Sequence, residues 1–348
     1  MSAAPRTLVV DLAATSRNWS LPADGAARLA DEAARLGWTI RFVTAPAISD
    51  GDGATAPSAE AREAMQGAEA YFGFGMSRAL FVEAPALRWV HSASAGVTAA
   101  LFPEMLASPA VLTNSAGIHA ETIAQHVIGG IIYLLRGFDI AVDQQRRAEW
   151  NKGPFVNAGA RVREIRECRV VIVGTGGIGG AIGRHLAHFG ARCTGVRRRP
   201  ELGAPDGFAR VVGPDSLGGE LGAADLLILA APLTPATQAL IGAGELDALP
   251  AEAIVVNVAR GTLLDEGAVA ERVESGRLRG AVLDVFREEP LDAGSPLWSL
   301  RSVLLTPHVS SVSPALFWDR ELDLFTDNWR RWDRGEPLRN VVDKSAGY

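Results

Sequence analysis

Three groups of residues in this 348-residue chain have types and spacings that could do chemistry together. The first is the run Val170-Val171-Ile172-Val173-Gly174-Thr175-Gly176-Gly177-Ile178-Gly179-Gly180, where G-x-G-x-x-G follows β-branched residues. Ile178, Ile182, Leu186 and Phe189 then recur at three- and four-residue steps, a helical pattern. Strand, glycine turn, helix is the context a dinucleotide-binding loop requires. Gly174 allows the tight turn, Gly176 lets the backbone approach a pyrophosphate, and Gly179 lets helix and strand pack closely. The helix N-terminus adds free N–H groups and the positive end of its dipole.

The second group is Arg197-Arg198-Arg199. It falls where the second strand of such a unit ends, about 20 residues past the turn, and where an acidic residue would hold the ribose 2′-hydroxyl of NAD. No Asp or Glu stands there, and three guanidiniums favour the extra phosphate of NADP through forked, charge-assisted contacts. A solvated basic loop is the plainer alternative. The third group is Arg260, Glu289 and His308, each just past an expected strand end. Ligands of open α/β sheets bind beyond the carboxyl ends of the strands. A His there suits general acid-base work, a carboxylate partner fixes its ring, and an Arg can grip a substrate carboxylate. Singly they read as a surface Arg, a turn Glu and a core His; together at successive strand ends they read as a site.

These groups need a scaffold. Alternating strand and helix patterns imply parallel α/β architecture. Strands are expected at 7–12, 39–43, 70–73, 89–92 and 111–114, with a helix at 26–36 and a polar loop at 51–57. A long helix at 120–147, apolar on nearly all faces, and a polar, irregular stretch at 152–167 lead to a second unit. Its six strands, at 169–173, 192–196, 226–229, 254–257, 280–283 and 303–306, make a complete doubly wound dinucleotide fold. A last helix at 315–334 should return to the first lobe, making it discontinuous, with a cleft and hinge between lobes. The expected fold is therefore α/β, with two doubly wound parallel-sheet lobes. A Rossmann dinucleotide-binding domain (118–313) is inserted in a discontinuous, flavodoxin-like substrate-binding domain (1–117 and 314–348).

Composition narrows the class. A hydrophobic share of 48% and a charged share of 21% suit a globular enzyme, and a net charge of −6 argues against nucleic acid as a partner. The apolar runs are strand-sized, so no membrane partner is expected. Asp11 interrupts the short apolar run after Arg6, so residues 1–16 do not read as a signal peptide. Cys168 and Cys193 suggest buried thiols in a reducing, cytoplasmic setting. Six His and two Cys show no metal-ligand spacing, and no metal is expected.

At this point the chain resembles the D-isomer-specific 2-hydroxyacid dehydrogenases over nearly its whole length. The resemblance rests on Asn114-Ser115-Ala116-Gly117-Ile118-His119-Ala120, the 173–179 glycine turn, Ala231-Pro232-Leu233-Thr234-Pro235, Asn257-Val258-Ala259-Arg260-Gly261, Asp284-Val285-Phe286-Arg287-Glu288-Glu289-Pro290-Leu291 and Thr306-Pro307-His308. It implies that Arg260 binds the substrate carboxylate and carbonyl, that Glu289 pairs with the catalytic His308, and that Asp284 contacts the nicotinamide amide. It also implies a backbone cradle for the carboxylate at Ser94-Ala95-Gly96-Val97. The expected cofactor contacts are Gly174, Thr175, Gly176, Gly177, Ile178, Gly179, Arg197, Arg198, Arg199, Ala231, Pro232, Val258, Ala259, Arg260, Asp284, His308 and Ser310. The substrate contacts are Ser94, Ala95, Gly96, Arg260 and His308.

This chain departs from the family at Ala124-Gln125-His126, where many members have Ala-Glu-His, and at Gly96-Val97-Thr98, where many have Gly-Val-Asp. The tail from Gly335 to Asp343 and the arginine triplet most resemble the glyoxylate/hydroxypyruvate reductase branch. The expected activity is thus NADP-dependent reduction of a small 2-keto acid to a D-2-hydroxy acid. Alternatives are an NAD-preferring member with another substrate and a non-catalytic dinucleotide-sensing scaffold. Trp89, Trp150, Trp298 and Trp318 are candidates for a pocket wall or for core packing, and His119 and His126 read as structural. The apolar 120–147 helix, needing partners on several sides, suggests a homodimer.

Overall fold

The computed structural model describes residues 6–16, 19–46, 48–49 and 55–347. Two compact units emerge, one of residues 1–118 with 313–348 and one of residues 119–312. The first contains strands Thr7–Asp11 (β1) and Thr39–Phe42 (β2), then the short antiparallel pair Ile48–Ser49 (β3) and Thr55–Ala56 (β4). Ala70–Gly73 (β5), Trp89–Ser92 (β6) and Val111–Asn114 (β7) follow, and the main sheet is parallel with order β2-β1-β5-β6-β7. Residues 51–54 of the expected 51–57 loop, and residues 1–5 of the segment read for a leader, lie outside the described residues, while Thr55–Ala56 of that loop is strand β4, too short to show a period.

The helix Phe317–Arg334 completes this unit because its sequence is strongly one-sided. Phe317, Trp318, Leu322, Phe325 and Trp329 sink into one cluster with Leu8, Val10, Phe72 and Trp89. Phe325 stacks on Phe72 at 3.8 Å between centroids and on Trp89 at 5.3 Å. Trp89 and Trp318 are therefore core residues, whereas Trp150 and Trp298 are exposed. The helix begins at Phe317, two residues later than the pattern suggested, and the first helix begins at Ala23, three residues earlier.

The second unit is a seven-stranded parallel sheet of Arg169–Val173 (β8), Arg192–Val196 (β9), Arg210–Val212 (β10), Leu226–Leu229 (β11), Ile254–Asn257 (β12), Gly280–Leu283 (β13) and Val303–Leu305 (β14). Its order is β10-β9-β8-β11-β12-β13-β14. Alternation along each strand feeds two cores. Val171, Val173, Leu227 and Leu229 enter one, and Val170, Ile172, Leu226 and Ile228 the other. Helices cover both faces, which is why these strands read as unbroken apolar runs.

Two expectations change here. The sheet has a seventh strand, β10, which sequence reading passed over. It is a three-residue edge strand with an exposed first residue, too short to show a period. The single helix expected at 120–147 is two helices, Ala120–Leu135 and Phe138–Arg146, bent by 69°. Gly137 at φ 69 takes the left-handed conformation that ends the first helix, a position where glycine carries no Cβ penalty. Among the described residues no single helix is long and apolar enough to cross a membrane, though this bent pair together has the length and composition of a span. The first helix of the pair packs mainly on Gly177–His188 and on β12 and β13. Most of its apolar surface is thereby covered inside its own unit, so that surface does not by itself demand a second copy.

Candidate active site

Because all seven strands of the second sheet run parallel, their carboxyl ends share one edge. The glycine turn follows β8, the arginine triplet β9, Ala231 and Pro232 β11, the 258–260 segment β12, Asp284 β13, and His308 β14.

The glycine turn is shaped for close approach. Gly174 sits at φ 93, and its N–H bonds Val196 O at 2.8 Å. A Cβ on Gly179 would lie 1.8 Å from Gly174 O, so only glycine lets the helix Gly177–His188 start there. Among the described residues a Cβ on Gly176 would meet nothing within 4 Å, and Gly176 is the N-cap of the helix. Gly176 and Gly177 are exposed, and the space beside Gly176 is open, as a pyrophosphate cradle needs. Arg197 leans back to Gly203 O at 3.4 Å, while Arg198 and Arg199 are exposed at the end of β9.

Asn257, fully buried at the end of β12, shapes the turn before Arg260. Its Oδ1 accepts the Ala259 N–H at 3.0 Å and its Nδ2 donates to Arg260 O at 3.0 Å. Arg260 Nη1 donates to Ala259 O at 2.8 Å, keeping the guanidinium against its own turn. Gly261 follows, and its ideal Cβ would lie 1.9 Å from the Phe286 carbonyl carbon. The turn after β12 therefore abuts the loop after β13.

That loop carries Glu289, whose two oxygens are both used. Oε1 accepts the Phe286 N–H at 2.9 Å, and Oε2 meets His308 Nδ1 at 2.8 Å. The carboxylate accepts, so Nδ1 carries a proton and Nε2 is left for a ligand. His308 stands at φ 53, a left-handed conformation uncommon for a side chain with a Cβ. It is held there by its N–H bond to Asp284 O at 2.8 Å.

Asp284, fully buried, organises the same turn with its carboxylate. Oδ1 accepts the Thr306 hydroxyl at 2.5 Å and the Val309 N–H at 2.9 Å, and Oδ2 accepts the Ser310 N–H at 2.9 Å. The single Thr306 proton goes to Asp284, so His126 Nε2, 3.2 Å from Thr306 Oγ1, must be the donor to that hydroxyl. Sequence reading missed the roles of Thr306 and Asn257. Their signal was modest: a polar residue at a strand end with apolar neighbours.

The turn expected to cradle a carboxylate lies in the first unit. Ser94 O accepts the Ser115 N–H at 3.3 Å, and Ala95 O accepts Asn114 Nδ2 at 2.7 Å. Peptide planarity then points the Ala95 and Gly96 N–H groups the opposite way, as a cradle requires. Burial pushes the thiol of Cys168 up to about 11 and that of Cys193 up to about 12, which makes both inert. Among the described residues no three His, Cys, Asp or Glu side chains gather where they could hold a metal ion.

The profile for the NAD binding domain of D-isomer specific 2-hydroxyacid dehydrogenases matches residues 128–310, a little over half of the chain. A glyoxylate/hydroxypyruvate reductase A of Salmonella newport (strain SL254) is 31% identical over 272 residues, covering 75% of this chain and 82% of that protein. A D-isomer specific 2-hydroxyacid dehydrogenase from Xanthobacter autotrophicus Py2, in complex with NADPH and MES, matches with a TM-score of 0.79 at 29% identity, covering 99% of this chain and 100% of that one. An NADPH-dependent glyoxylate/hydroxypyruvate reductase from Sinorhizobium meliloti, in complex with NADP and sulfate, gives 0.76 at 26% identity, with 99% and 100% covered.

Proposed function

This chain belongs to the D-isomer specific 2-hydroxyacid dehydrogenase family, and from that premise we propose that it reduces small 2-keto acids of the glyoxylate and hydroxypyruvate kind with NADPH. The observation that carries the reading is the His308–Glu289 contact of 2.8 Å, set past the strand ends that also carry the glycine turn and Arg260. When bound, the cofactor supplies the hydride. The protein supplies the rest. Arg260 offers a forked grip on the substrate carboxylate and stabilises charge growing on the carbonyl oxygen. His308, held through Nδ1, gives the Nε2 proton to that oxygen, and Glu289 stabilises the charged ring beforehand. The product is the D-2-hydroxy acid.

The backbone amides of the glycine turn, with Thr175 and Ile178, are assigned to the pyrophosphate. Ala231, Pro232, Val258, Ala259, Asp284 and Ser310 are assigned to the rest of the cofactor. Arg198 and Arg199, with Arg197 beside them, suit the 2′-phosphate of NADP because a guanidinium forks onto phosphate oxygens. Residues 119–312 would then be the dinucleotide-binding domain. Residues 1–118 with 313–348 would be the substrate domain, its 94–97 turn offering amides to a carboxylate. A homodimer remains part of the proposal, now on different grounds. Phe138, Trp150 and Val156 expose large apolar side chains in one stretch, Trp150 at 91%.

The test is NADPH and NADH oxidation with a panel of 2-keto acids, using wild type and His308→Ala. Turnover with NADPH and glyoxylate that collapses in the variant is the expected result. Tight dinucleotide binding without turnover on any 2-keto acid would overturn the reading in favour of a sensing scaffold. Light scattering that gives a monomer mass would remove the dimer.

A further inference from the structure

The loop that presents Glu289 is held by a second carboxylate. Glu266 lies in the first turn of the helix Glu266–Glu274, which is anchored by buried Ala268, Val269, Ala270 and Val273 and capped by the Asp265 side chain on Ala268 N–H at 2.9 Å. Its Oε1 accepts the Arg287 N–H at 2.5 Å. One residue earlier, Glu289 itself accepts the Phe286 N–H at 2.9 Å. Two carboxylates therefore hold two consecutive amides, and the intervening peptide is the one that Gly261 allows to press against the turn after Arg260. A rigid helix, a backbone amide, Glu289 and His308 form one continuous support.

We propose that Glu266 is a positioning residue for the acid-base pair: through the Arg287 amide it fixes the turn that sets Glu289 against His308. The groups facing it are Arg287, Glu289 and Asp265. Burial raises the proton affinity of Glu266. The Arg287 amide and guanidinium oppose that, and the charges of Glu289 and Asp265 add to it, so Glu266 and Glu289 sense each other electrostatically. The catalytic significance of this support rests on the reductase reading above.

A double-mutant cycle on kcat separates a residue acting through Glu289 from a merely structural one. Glu266→Ala frees the exposed Arg287 amide to water, so the turn loses its tie to the helix, and this should lower kcat about five- to tenfold, with KM for NADPH unchanged because the glycine turn is untouched. Glu266→Gln keeps an acyl oxygen and should restore kcat to within about threefold of wild type. In a Glu289→Gln background, Glu266→Ala should cost less than about twofold more. Equal costs in both backgrounds, or no cost in wild type, would overturn the proposal. If Glu266→Ala does not fold, Glu266→Asp carries the same cycle, since it keeps the charge but falls short of the amide. A readout independent of substrate is the ring N–H resonance of His308, assigned by its loss in His308→Gln. It should broaden or shift in Glu266→Ala and persist in Glu266→Gln. An unchanged resonance in Glu266→Ala overturns the proposal. A wild type that reduces no 2-keto acid yet shows this shift keeps the proposal and overturns the reductase reading.

Discussion

Replacing Glu289 by glutamine tests the acid-base pair most directly, because shape is kept and one oxygen becomes an NH2 group. In the native site both oxygens accept, from Phe286 N–H at 2.9 Å and from His308 Nδ1 at 2.8 Å. Glutamine has one acceptor for these two donors. If its oxygen turns to Phe286, its NH2 faces the ring, and His308 must adopt the tautomer with a bare Nδ1. If its oxygen turns to His308, the NH2 meets the Phe286 N–H donor to donor. Either arrangement forfeits the charge-assisted bond that supports an imidazolium. Such bonds are worth about 1.5–3 kcal/mol. The two side chains are 39% and 36% exposed, so solvent screening brings the figure to about 1–2 kcal/mol. That converts to a loss of about five- to thirtyfold in kcat/KM for 2-keto acid reduction. Steady-state oxidation of NADPH at saturating cofactor measures it, and KM for NADPH should not move. Wild-type kcat/KM in a Glu289→Gln protein with unchanged thermal unfolding would refute the assignment of Glu289 as the ring's partner.

Three other outcomes are expected. Arg198→Ser combined with Arg199→Ser should cost about ten- to hundredfold in kcat/KM for NADPH while leaving NADH unchanged, and an unchanged NADPH/NADH ratio would refute the phosphate assignment. Gly179→Ala forces a Cβ to within 1.8 Å of Gly174 O, a backbone atom that cannot step aside; a loss of about 3 kcal/mol, the upper end of the usual overpacking cost, is expected in thermal or urea unfolding. Asp11 is buried with Oδ1 unpartnered among the described residues, and burial raises its pKa, Tyr71 opposing and Glu60 adding. An acid with a raised folded pKa binds its proton more tightly folded than unfolded, so its contribution to stability falls as pH rises from the unfolded value of 3.8 through the folded one. Asp11→Asn, in which the amide oxygen still accepts the Tyr71 hydroxyl, should therefore gain on wild type in urea unfolding as pH rises toward neutrality, and a pH-independent difference would count against this account.

The chain's own order of residues determined a good deal. Apolar runs of four or five residues, bounded by glycine and polar breaks, marked the central strands such as β8, β11 and β12, because a strand covered on both faces has no polar side to show. The glycine turn was legible because its constraint is local: only glycine fits where a helix starts against its strand. Arg260, Glu289 and His308 were legible as strand-end residues because parallel strands must gather their carboxyl ends on one edge. What tertiary structure alone decided is how these parts are held. That Glu289 divides its oxygens between Phe286 and His308, that Asp284 takes three donors from the turn carrying His308, and that Glu266 secures the Arg287 amide are facts of non-local contact. No periodicity encodes them. The break at Gly137 and the edge strand β10 were likewise decided by packing, since one glycine within an apolar run and three residues at a sheet edge carry too little pattern to announce themselves. Sequence names the groups that could react; the fold sets which atom of each faces which, because hydrogen-bond geometry between segments distant in sequence exists only once both are packed.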